Sequence, residues 1–179
     1  MNEQPKPNYL YLDGVAERQQ LISEIGKVRQ SVLQIVTYVP EAEHYEARYH
    51  GWSLAAMLAH LNIMDTSSLW LIKASLLGLR PSMSLAMLNR FNDSMARIYQ
   101  KRIVSASLKS MNRNEKRIAD FITHLPESQF SKSVFHPNKQ QYMTVERAIQ
   151  DLFLYHWGDH LRTMQEVEGI QPKSAMSDE

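Results

Sequence analysis

Seven histidines form the one unusual set of titratable side chains in this chain: His44, His50, His60, His124, His136, His156 and His160. His156 and His160 are four residues apart, so on a helix both imidazoles leave the same side, about 40° from each other. That projection groups them with Val145, Ile149, Leu152, Phe153, Thr163 and Val167. It groups His60 with Ser53, Ala56, Met57, Ile63, Met64, Ser67 and Leu71. Three imidazoles are therefore expected to point at the core of a helical protein. On one reading, each ring finds hydrogen-bond partners in that core. On the other, a divalent metal offsets the free energy of burying three polar rings. Three histidines with a fourth position open to water form a catalytic rather than a closed structural site. Zinc, nickel and iron(II) all accept imidazole, and geometry alone leaves both readings open.

The remaining candidates have plainer explanations. His44, His50 and His136 fall in or beside loops and are expected at the surface. His124 precedes Leu125-Pro126, where a cation suits the end of a helix. Arg102, Lys109, Arg113 and Lys116 line one face, expected to be solvated. Asp159 sits about 60° from His156, at the edge of reach for a supporting partner. Tyr155 and Trp157 read as packing or interface residues, and Gly158 as a place where another helix comes close. No residue can be assigned from sequence as a base or a substrate clamp.

The elements that carry these residues are helices. Prolines at 5, 7, 40, 81, 126, 137 and 172 leave long proline-free runs between them, and proline in a helix interior costs about 3 kcal/mol. Apolar residues at helical spacing predict helices at about 15–39 and 53–77, with Ser53 as N-cap. Two more are expected at about 92–103 and 105–124, and a last one at about 144–168. Residues 126–143 are expected as a long loop with room for a short hairpin. Gly78 and Gly169, each followed by a proline three residues on, read as helix ends. The expectation is an all-α four-helix bundle with an extra short helix and a long loop before the last helix.

Composition limits the function. The chain is 179 residues with 20 Lys+Arg against 19 Asp+Glu, a formal charge of +1. This fits one domain over 1–179, with disordered tails at about 1–8 and 170–179. So even a balance argues against a protein that coats nucleic acid or anionic membrane. With no cysteine, disulfides, thiolate metal sites and cysteine nucleophiles are excluded. No secretory signal and no run of about 18 apolar residues is visible, so a cytoplasmic location is expected.

Trp52-Ser53, then His60-Leu61 after six residues, with His156-x-x-x-His160 near the C-terminus, resembles the DinB superfamily, also called the DinB/YfiT group. Pro81, Leu125-Pro126-Glu127 and Met143-Thr144 extend the resemblance over nearly the whole chain. It implies a four-helix-bundle-like fold with a divalent metal held by His60, His156 and His160. The group includes thiol S-transferases that use bacillithiol or mycothiol, a mycothiol-dependent maleylpyruvate isomerase and domains of ergothioneine synthesis. Two functions follow as expectations. One is a metal-dependent thiol S-transferase or hydrolase acting on an electrophilic small molecule, with a low-molecular-weight thiol as a possible second cofactor. The alternative is a non-catalytic metal- or small-molecule-binding bundle with a structural or stress-related role. A small-molecule substrate is the expected partner, with no nucleic acid and no membrane, and a homodimer as a possible assembly.

Overall fold

The computed structural model describes residues 8–170. Helix α1 spans Val15–Tyr38, α2 Leu54–Leu76, α3 Leu85–Tyr99 and α4 Val104–His124. A short α5 (Glu127–Phe130) leads into an antiparallel hairpin of β1 (Ser133–His136) and β2 (Gln141–Thr144). The last rod is continuous but not uniform: α6 (Val145–Gln150), a π turn (Asp151–Tyr155) and α7 (His156–Glu168). The four-helix bundle consists of α1, α2, α4 and this rod, with α3 laid on α2.

The expected caps are present. Ser53 Oγ accepts the Ala56 N–H at 3.1 Å and opens α2. Gly78 and Gly169 take φ values of +85° and +67°, left-handed backbone that glycine adopts freely at a helix end. Helix α3 begins seven residues earlier than the sequence suggested. Ser84 caps it by accepting the Met87 N–H, and Leu88 and Met95, two turns apart, bury themselves, with Asn92 half-buried between them and Asp93 exposed. The loop expected at 126–143 holds α5 and the hairpin.

Two apolar clusters fill the bundle. One gathers Leu21, Ile25, Ile72, Ile118, Ile149 and Phe153, and the other Val32, Ile35, Leu58, Met111, Trp157 and Met164. On every long helix the first set and the second set occupy opposite ends. Between them lie Arg29, Asp65 and Asn114, all buried and polar.

Of the tails expected to be disordered, 1–7 and 171–179 lie outside the described residues. Asn8 and Ile170 are placed: the Asn8 carbonyl accepts the Tyr155 hydroxyl at 2.7 Å, and the Ile170 N–H donates to Gln165 at 2.9 Å. Residues 8–12 form a strap along the last rod. Leu10 exchanges two hydrogen bonds with the Gln150 side chain, at 2.8 and 2.9 Å, and the Leu12 N–H donates to Glu146 at 2.6 Å. No helix among the described residues is long and apolar enough to cross a membrane.

Candidate metal centre

The π turn decides which residues of the last rod face the site. It adds one residue to a helical turn, so everything after it is set back by about 100° relative to an unbroken α-helix. In an unbroken helix His156 would lie about 20° from Val145, in the centre of the core face. With the slip, Trp157 takes that angle and His156 stands about 80° to one side. Burial agrees: Trp157 and Met164 are buried, His156 is half-buried, and Val167 is 42% exposed. The expectation that Thr163 and Val167 share the core face is therefore corrected, because it assumed one helical period throughout. The slip also reduces the angle between Asp151 and His156 from about 140° to about 40°, so both line one cavity.

His60, His156 and His160 meet. Ring centroids are 5.4 Å apart for His60–His156, 5.1 Å for His60–His160 and 4.6 Å for His156–His160. One nitrogen from each lies within 4.8 Å of the others. Tetrahedral zinc with nitrogens at about 2.0–2.1 Å sets them about 3.3 Å apart, so small ring movements would close the triangle. His60 Nδ1 and His156 Nε2 are buried and have no hydrogen-bond partner among the described residues. Such orphaned polar atoms are rare in a folded interior. Burial lowers the His60 pKa to about 3, helped by His160, and that of His160 to about 4, while His156 falls well below its usual value. All three rings are neutral at pH 7 and hold their lone pairs ready. This donor set fits a divalent metal.

The turn before α2 holds His60 from the other side. His50 and Gly51 carry φ values of +51° and +88°, and a bridge between Tyr49 and Trp52 closes the turn. Trp52 then meets the His60 ring edge-on, with centroids 5.1 Å apart. Glu168, at the end of α7, fastens the turn by accepting from Arg48 Nε and Nη2 at 3.1 and 2.9 Å and from the Tyr49 hydroxyl at 2.7 Å.

A cavity of about 700 Å³ opens beside His156, walled by Asp151, His136, Lys139, Tyr155 and Arg162. Asp151 accepts from the Tyr9 hydroxyl at 2.7 Å and from Lys139 Nζ at 2.5 Å. Burial lowers the pKa of His136, with Asp151 opposing, and burial raises that of Tyr9 with help from the Asp151 bond.

Several sequence expectations change here. His136 is buried on β1 beside Asp151, because Val134 and His136 alternate inward on the strand. His44 is also buried, its Nε2 bonding the Val36 and Val39 carbonyls at 3.2 and 2.9 Å. Gly158 faces open space, so no helix approaches there. Asp159 is exposed at the cavity rim and pairs with Arg162. His124 bonds the Asp120 carbonyl at 2.9 Å at the end of α4, as expected.

Fold and site together define a four-helix bundle with three histidines drawn into one metal-site candidate beside an open cavity. The structure is similar to that of YfiT from Bacillus subtilis, described as a probable metal-dependent hydrolase with an unusual four-helix bundle topology. The two share 19% sequence identity and a TM-score of 0.72, over 93% of each chain, which establishes a common fold. No protein-family model and no curated protein matches the chain.

Proposed function

We propose that this protein is a metal-dependent hydrolase of small molecules, with His60, His156 and His160 as the metal ligands. The observation that carries the reading is the pair of buried, unpartnered nitrogens, His60 Nδ1 and His156 Nε2, in a triangle of neutral imidazoles beside the cavity. YfiT, with the same fold, is described as a probable metal-dependent hydrolase, which supports the class. When bound, a divalent ion supplies Lewis acidity that acidifies water or polarises a carbonyl. The chain supplies the rest. Helices α2 and α7 fix the three rings, and Trp52 shields His60 from one side. The cavity volume is that of a small-molecule site. Lys139, 40% exposed and steadied by Asp151 and Tyr9, offers a remaining N–H to an oxygen of the substrate.

The test is metal content by elemental analysis, with turnover of an ester and amide panel under zinc, nickel or iron(II). A parallel arm pairs small thiols with a chlorinated nitroarene and asks whether transfer to sulfur replaces hydrolysis. His160→Ala should lose the metal and the activity while still melting cooperatively, destabilised by about 1–3 kcal/mol. Wild-type turnover in a metal-free His160→Ala protein would sink the reading.

A further inference from the structure

Arg29 and Asp65 are each 1% exposed and joined at 2.9 Å between Nη2 and Oδ2, deep inside the bundle. Such a pair is costly to desolvate and is weak support for stability by itself. Burial pushes the Asp65 carboxyl up to about 6, with Arg29 and Trp157 pulling it back. What the pair touches gives it a different purpose. Asp65 Oδ1 accepts the Trp157 indole N–H at 2.9 Å, and the guanidinium carbon of Arg29 lies 4.4 Å from the centre of the Trp157 ring. Arg29 Nη1 donates to the Phe153 carbonyl at 3.3 Å, inside the π turn. One charged pair therefore grips the last rod on both sides of His156, and Asp65 stands five residues beyond His60 on α2.

The alternative to the observed register is an unbroken α-helix of the same sequence. In the slipped state Trp157 faces the core and His156 faces His60 and the cavity. In an unbroken α-helix α7 turns by about 100°, His156 enters the core and the indole N–H leaves Asp65. Both bonds to the rod, from Phe153 and from Trp157, belong to the slipped state. We infer that Arg29, Asp65 and Trp157 form a positioning unit for the histidine triangle: they hold the π register that aims His156 at His60. A buried polar group that fixes register at some expense of stability has precedent in coiled coils.

This inference rests on the metal reading of the triad, and the experiment separates the two. The variant Arg29→Met/Asp65→Leu replaces both partners, leaving no lone buried charge, and Trp157→Phe keeps the ring but removes the N–H. Zinc affinity is measured by chelator competition, the geometry by the visible spectrum of cobalt(II)-loaded protein, and the fold by thermal melting. The double variant should melt cooperatively, bind zinc at least about ten-fold more weakly and show an altered cobalt spectrum. Trp157→Phe should move in the same direction by less. Deleting Leu154 from the double variant should restore affinity, because a straight α-helix one residue shorter gives His156 the same face without a slip. Unchanged zinc affinity and an unchanged cobalt spectrum in a folded double variant would overturn the inference. If wild-type protein takes up none of zinc, nickel and iron(II), the metal reading fails. Crystal structures of the metal-free proteins then decide the clamp: a regularised turn in the variants supports it, and an intact π turn overturns it.

Discussion

His136 Nε2 stands 3.8 Å from Asp151 Oδ2, beyond hydrogen-bond length, while its Nδ1 accepts the Lys139 backbone N–H at 3.2 Å. That bond places the imidazole proton on Nε2, facing the carboxylate. Asp151 thereby joins three separate parts of the chain: the strap at Tyr9, the hairpin at His136 and Lys139, and the last rod. Replacing Asp151 with Ala should destabilise the protein by about 1–3 kcal/mol in urea unfolding. The Leu10 and Leu12 amides should exchange with deuterium faster than those of α1. Equal protection of strap and helix in the variant would show that Asp151 does not tie them.

The metal-free protein should lose stability in mild acid. His60, His136, His156 and His160 all have folded-state pKa values below the ordinary value of about 6.5, burial being the first cause in each. Below about pH 6.5 the unfolded chain takes up protons that the folded chain refuses, so stability falls as pH drops toward about 4. Asp65 has the opposite sign, since its raised pKa keeps a proton in the folded state between about 4 and 6. Four groups outweigh one. Melting temperatures measured from pH 7.5 to 4.5 should decline, and a rise would contradict the burial of these rings.

Zinc affinity should respond to acid later than free imidazole does. Because burial already holds the three rings neutral, protons compete weakly until pH nears the values of about 4 and 3 at His160 and His60. Chelator competition should give nearly constant affinity from pH 8 to about 5.5, then a decline. A steep loss centred on pH 6.5 would mean that the rings are solvated.

One-residue changes in the π turn should have unequal consequences. Deleting Leu154 removes the added residue, leaves His156 and Trp157 on their present faces, and should keep zinc affinity within a few-fold of wild type. Inserting one alanine after Leu154 advances α7 by about 100° and so cancels the slip, which takes Trp157 out of the core and turns His156 into it. The insertion should abolish zinc uptake and cost about 3–5 kcal/mol, the range for losing a buried tryptophan. Equal tolerance of both changes would refute the angular account.

Much of this architecture was legible in the sequence. Ser53, Gly78 and Gly169 mark helix ends by local backbone chemistry that tertiary packing did not override. His60, His156 and His160 were found because four-residue spacing keeps two rings together even after the helix slips. Their exact direction was not legible, since the slip moves both by the same angle. Asp151 was invisible for the same reason: it lies five residues before His156, and a single helical period throughout puts it about 140° away. The Arg29–Asp65 pair carries no local signal, because it joins residues 36 positions apart across two helices. His136 could have been found from the inward alternation of Val134 and His136, had the segment been read as a strand.

The strap of residues 8–12 has a consequence for synthesis on the ribosome. Its partners Glu146, Gln150, Asp151 and Tyr155 are translated more than a hundred residues after it, as are His156 and His160, the two histidines that meet His60. Until the last rod emerges, the apolar side chains of Leu12, Leu21 and Ile25 lack the part of their cover that Ile149, Leu152 and Phe153 supply. The nascent chain must therefore pass through a long interval with its first helix only partly covered, when aggregation competes with folding. Chains stopped before residue 145 should be held by chaperones or degraded, whereas completed chains close strap, core and histidine triangle in a single late step.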